Sequence, residues 1–210
     1  RFEVARNFVN KLWNASRFAM LNLSGYVTAP IDESELTIED RWILSRLTTV
    51  STSITEKIEK YHYGEATREL YDFAWDDFCS FYVEILKERF ADTEMRPLAQ
   101  RMLAFTLDQL LRLLHPIVPF VSEEIWQNLA KLAPVRGLSE VLLAPKCLII
   151  AQWPQLAASW HSPAIEAQFS LFKQTLSALR EIRAKQNIAP RKEIQFSIRG
   201  ADQTVAPLNA

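Results

Sequence analysis

Lys11, Asn14, Arg17 and Phe18 recur at helical spacing within "NKLWNASRF", so an ammonium, an amide, a guanidinium and an aromatic ring share one side of a helix. That set is suited to unpaired nucleic acid. A ring can stack a splayed base, an amide can bond its edge, and a cation can neutralise the phosphate. Base–aromatic stacking is worth ~1–3 kcal/mol per base. The same Phe18 could equally pack beneath a neighbouring loop or helix, and its spacing alone leaves both readings open.

A second group lies in "FCSFYVEILKERF". Helical phasing at about 100° per residue places Leu70, Tyr71, Ala74, Trp75, Phe78, Phe81, Tyr82 and Ile85 on a core arc and turns Val83 away from it. Asp76, Glu84 and Lys87 are its neighbours. Val83 is then either an isolated surface valine or an apolar contact beside a carboxylate that accepts from a base amino group. A third group, Arg180, Arg183, Lys185, Arg191 and Lys192, with Lys173 and Arg199, outnumbers Glu181 and Glu193. Such a run is a solvated face or a contact for phosphates.

Catalytic chemistry is not legible. There is no nucleophile with a base at hand, no phosphate-cradling glycine loop and no HExxH. The adjacent carboxylates Asp76-Asp77 and Glu123-Glu124 do not face each other on a helix. Cys79, Cys147 and the three histidines are scattered without metal-ligand spacing, which predicts reduced thiols and no metal site. No apolar run approaches the ~20 residues that span a bilayer, so no membrane segment is expected.

The elements that must carry these groups are helical. With 210 residues, 49% hydrophobic content and only four glycines, the chain reads as a globular fold poor in turns. Its net charge of −1 confines any nucleic-acid contact to a local patch. The first helix runs from about Phe2 to Leu23, with Ala5, Phe8, Val9, Leu12, Trp13, Ala15, Ala19, Met20 and Leu23 on its core face. Thr37 to Asp40 forms a capping box that opens a helix to about Lys60. Further helices are predicted over 66–90, 94–114, from a start marked by Pro116 and Pro119, and over 163–186. Residues 134–160, with the apolar run "CLIIAQW", read as an irregular excursion carrying at most one short strand. Alternation of Ile194, Phe196 and Ile198 predicts a strand. The fold class is all-α: an antiparallel helical bundle over 1–160, then a basic helix and strand over 161–210 that begin a small α/β appendage.

"ARNFVNKLWNASRF", "DRWILSRL", "FCSFYVE", "LLRLLHPIVPFVSEEIWQ" and "REIRAKQNIAPRK" occur in this order. Together they resemble the region that follows the catalytic domain of valyl-tRNA synthetases. The block around "HPIVPFVSEEIW" is shared with isoleucyl and leucyl enzymes, whereas "RNFVNKLWNASRF" is similar to the valyl branch. The resemblance implies a class I synthetase anticodon-binding bundle, with tRNA as partner. Arg17 and Phe18 would meet anticodon bases, and Val83 and Glu84 would supply apolar and acceptor contacts, with Asn14, Lys11 and Lys87 beside them. Where this chain has Ser80-Phe81, the family more often has Asp-Trp. The HIGH and KMSKS signatures, the editing domain and the C-terminal coiled coil are absent from these residues. The resemblance therefore implies an excised, catalytically inactive piece of a monomeric cytoplasmic ligase, with no cofactor in this piece and ATP with Mg in its catalytic domain. A helical protein-interaction scaffold with Phe18 as anchor, or an isoleucyl- or leucyl-type module, are the competing expectations.

Overall fold

A computed structural model describes residues 2–189 and 192–197. The chain divides into two units, 1–161 and 162–210. The first holds α1 (Phe2–Asn22), α2 (Ile38–Glu59), α3 (Tyr63–Asp72), α4 (Val83–Ala91), α5 (Arg96–Leu114) and α6 (Pro119–Leu132). It is an all-α bundle. α5 is its spine: Ala99, Met102, Leu103, Ala104, Leu107, Leu110, Leu111 and Leu113 are all fully buried, because neighbours pack on nearly every side of this helix.

The capping box appears as expected. Thr37 Oγ1 accepts from the Asp40 amide while the Asp40 carboxylate accepts from the Thr37 amide, satisfying two donors that the first turn of α2 would leave unpaired. Asp40 does more than cap. It is fully buried, and its Oδ1 accepts from Tyr82 Oη and from Arg89 Nη1, each at 2.7 Å, which joins α2 to the segment around α4. Burial opposes the charge on Arg89, but the hydrogen bond and charge of Asp40 more than offset it and raise its pKa. Burial, reinforced by Asp40, pushes the Tyr82 phenol well above its ordinary value.

Between α3 and α4 the helix does not stop. Residues Phe73–Tyr82 form a π-helical stretch, ten residues long, that joins the two. A π-helix closes each turn one residue later than an α-helix. Its buried residues accordingly step from Phe73 and Ala74, through Asp77, Phe78 and Cys79, to Tyr82 and Val83.

Residues 134–160 are more ordered than their composition implies. Two short strands, β1 (Val135–Gly137) and β2 (Val141–Leu143), pair antiparallel with Val135 opposite Leu143. A Cβ at Gly137 would lie 1.9 Å from the Glu140 carbonyl oxygen, so the turn admits only glycine. Two strands stand where at most one was expected, and the apolar run "CLIIAQW" makes a 3₁₀ turn, Leu148–Ile150. The hairpin is anchored by charge. Arg136 lies 4.2 Å from the Trp126 ring centroid and donates from Nε to Asp108 at 2.6 Å, while Arg112 donates to the other Asp108 oxygen. Burial lowers the Arg136 pKa against the pull of Asp108.

In the second unit, Ser162 caps α7 (Pro163–Lys185), and Asn187 ends it in the left-handed conformation that asparagine tolerates. The alternating residues Ile194 and Phe196 form no strand among the described residues. Ile198 lies outside them.

Candidate nucleic-acid interface

α1 buries Phe8, Leu12, Ala15 and Ala19, a stripe at i, i+4, i+7 and i+11 that Leu23 continues just past the helix end; α1 packs on α6, on the π-helical stretch and on α5. Gln100 of α5 donates to the Asn22 and Ser24 carbonyl oxygens at 2.6 and 3.0 Å, satisfying acceptors that the end of α1 leaves open. This stripe is narrower than the sequence reading allowed. Trp13 is 37% exposed and Ala5 is exposed, so neither belongs to the core; Val9 and Met20 are half-buried at its margins. Trp13 lies one residue beyond the Leu12 stripe, on the flank that turns toward α6.

On the opposite flank stands Phe18. It is half-buried, with its ring centroid 6.1 Å from that of Phe90 in α4. Lys87 Nζ sits 5.5 Å from the same ring centroid and donates to both carboxylate oxygens of Glu84 at 2.7 Å. Phe18, Glu84 and Lys87 therefore meet in one cluster built by α1 and α4. Phe90 completes it, a residue that spacing in the sequence did not single out. Phe18 packs against a neighbouring helix and keeps part of its surface accessible.

Val83 stands differently. It is 3% exposed, and the expectation that it projects outward is overturned. The π-helical stretch is the reason. By the time the chain reaches α4, each wider turn has delayed the core face, so Val83, Leu86 and Phe90 turn inward while Ile85 is only half-buried. The same shift leaves Glu84 and Lys87 exposed beside Phe18.

Lys11 turns toward the π-helical stretch. Its Nζ lies 4.1 Å from the Trp75 ring centroid and donates to Ser80 Oγ, and Trp75 stacks on Tyr71 with centroids 5.7 Å apart. Asn14 is exposed on the ridge of α1. Arg17 is also exposed, but on the Trp13 flank, and it makes no hydrogen bond or ion pair among the described residues. Arg17 and Phe18, adjacent in sequence, thus straddle the ridge instead of converging.

Within the second unit, Arg180 and Lys185 of α7 are exposed, and Lys185 pairs with Glu181 at 2.6 Å. Arg183 donates to the carbonyl oxygens of Ala189 and Lys192, folding the chain back on the helix end. Lys192 is exposed; Arg191 and Arg199 lie outside the described residues. Among the described residues no group of His, Cys, Asp and Glu is placed to hold a metal ion, and no helix is long and apolar enough to cross a membrane.

Comparison with known proteins identifies the family of the bundle. A family model described as "Anticodon-binding domain of tRNA ligase" matches residues 40–198. The chain is similar to the valine–tRNA ligase of Rhodopirellula baltica, 52% identical over 213 residues, covering 100% of this chain and 21% of that protein. It is also similar to the valine–tRNA ligases of Thermosynechococcus vestitus, at 42% identity over 90% of this chain, and Carboxydothermus hydrogenoformans, at 40% over 99%. The chain spans about a fifth of the length of these curated relatives. On the match over 40–198, laid on a bundle of this architecture, the chain belongs to the family of anticodon-binding domains of tRNA ligases.

Proposed function

We propose that this chain is the module with which a valine–tRNA ligase recognises the anticodon loop of its tRNA. The observation that carries the reading is the Phe18–Lys87–Glu84 cluster. An aromatic edge, a cation and a carboxylate within contact of one another supply stacking, phosphate neutralisation and hydrogen-bond acceptance at one spot. Without RNA, Lys87 lies over the Phe18 ring and neutralises Glu84. A base arriving on Phe18 takes the place of that ammonium. Lys87 is then free to meet the phosphate, and Glu84 to accept from an exocyclic amine. Asn14 and Lys11 flank the approach, and Arg17 offers an unpaired charge across the ridge. Val83 serves from beneath, as a buried residue that seats α4. Arg180, Lys185 and Lys192 are candidates for backbone contact.

The whole protein would join valine to its tRNA with ATP and Mg, through valyl-adenylate, using residues beyond this sequence, as a cytoplasmic monomer. The 210-residue chain would be inactive alone. The names of the relatives favour the valyl assignment over an isoleucyl or leucyl one.

Fluorescence anisotropy with an anticodon stem-loop tests the reading. A valine-type loop should bind this chain more tightly than one with an altered central base, and Phe18→Ala should cost about 1–3 kcal/mol. Affinity should fall as salt rises, because phosphate contacts release counterions. Equal affinity for the two loops would refute base recognition and leave the scaffold reading.

A further inference from the structure

The other flank of α1 carries a feature to which this function assigns no role. Between α1 and α6 runs a groove of about 720 Å³, inside the range of sites that accept small ligands. Its floor is apolar: Trp13, Met20, Leu21, Ile125 and Leu132 line it. Three of these are unusually open for large apolar residues, Trp13 at 37%, Leu21 at 75% and Leu132 at 37%. One wall is polar and ordered. Asn128 Nδ2 donates to Glu124 Oε1 at 2.9 Å, and Lys131 Nζ donates to Asn128 Oδ1 at 3.1 Å, so residues at i, i+4 and i+7 of α6 form a continuous hydrogen-bonded row. The opposite rim is Arg17, the exposed guanidinium without a partner among the described residues.

We propose that this groove is a second base-binding slot, in which an unpaired nucleotide of the same RNA loop stacks on Trp13. The proposal rests on the anticodon reading above and extends it to the far side of α1. Four observations select this occupant. Trp13 lines the groove with about a third of its surface exposed, and an accessible aromatic is a stacking platform for any base. The ionic rim of Arg17, Lys131 and Glu124 sums to one positive charge, which suits a phosphate. Asn128 spends its amide on this row, donating to the Glu124 carbonyl and Oε1, so the second Glu124 carboxylate oxygen is left as acceptor and the remaining Lys131 ammonium protons as donors for a base edge. Finally, the groove and the Phe18 cluster flank the same helix, α1, on either side of the exposed ridge that carries Asn14. A loop whose bases are splayed to either side of one helix would use both flanks, and that explains why Arg17 and Phe18 point apart.

The test is abasic scanning of the anticodon loop against this chain, Trp13→Ala and Phe18→Ala, read by anisotropy. One loop position should exist where removing the base weakens the unsubstituted chain about 5- to 150-fold yet changes Trp13→Ala little. That position should differ from the one coupled to Phe18→Ala. Trp13→Phe should retain most of the affinity, and circular dichroism should show every variant folded at the assay temperature, since nearly two thirds of Trp13 is buried. If Trp13→Ala binds every loop like the unsubstituted chain while Phe18→Ala does not, the second slot is refuted and the anticodon reading stands. If neither substitution matters, both fall. A concentration-dependent dimer in sedimentation, dispersed by Trp13→Glu, would assign the groove to a second copy of the chain and overturn the proposal.

Discussion

Replacing Arg89 by methionine should destabilise the first unit by about 3–5 kcal/mol, because it strands a buried carboxylate. Asp40 has no exposed surface, and Arg89 is only 6% exposed. Their contact, at 2.7 Å, supplies the positive charge that compensates Asp40 inside the fold. After Arg89→Met, the carboxylate keeps Tyr82 Oη and the two Thr37 donors, which are dipoles and not charges. Asp40→Asn strands the guanidinium instead and should cost a similar amount, plus part of the helix cap. The double variant Asp40→Asn/Arg89→Met buries no net charge. Its cost should return to about 1–2 kcal/mol, mostly the weakened cap, so the two singles are far from additive. Urea unfolding followed by circular dichroism measures this. The midpoint should shift with the slope unchanged, since the area exposed on unfolding is nearly the same. A loss below about 1 kcal/mol for Arg89→Met, or a double variant equal to the sum of the singles, would refute the claim that this pair holds α4 to α2.

Tyr61 closes α2 with φ at 62°, a left-handed conformation in which a Cβ is strained, and its side chain is 78% exposed. Tyr61→Gly should therefore raise stability by about 0.5–1 kcal/mol, checked by thermal unfolding; a loss would mean that its edge-on contact with Tyr63 outweighs the strain. Alkaline stability should also decline. Burial pushes the Cys79 thiol up to about 12, against 9.0 as its ordinary value. A folded pKa above the unfolded one contributes stability that is complete below pH 9.0 and is lost as pH rises toward about 12. In urea titrations across that window, Cys79→Ala should show a shallower decline, and an unchanged slope would contradict the burial.

Local rules determined much of this molecule from sequence alone. The Thr37–Asp40 box, the proline at the start of α6 and the centre of the α1 stripe (Phe8, Leu12, Ala15, Ala19) depend on near neighbours in the chain, so they are legible without knowing what packs where, whereas the width of that stripe is not. The charge cluster around Phe18 was also legible in part: Phe18, Glu84 and Lys87 were each singled out, and the fold brings them together. Tertiary packing decided the rest. The π-helical stretch at Phe73–Tyr82 is a response to neighbours on several sides, and no periodicity of α type anticipates it. It is why Val83 is buried although phasing turned it outward. Trp13 shows the converse: a large aromatic at the edge of an apolar arc looks like core until α6 is seen to leave a groove beside it. The hairpin over 135–143 needed Asp108 and Trp126 from distant helices to hold Arg136. Sequence determines what each turn of helix can present. Only the assembled bundle decides which turns face inward, because burial belongs to pairs of surfaces and not to single residues.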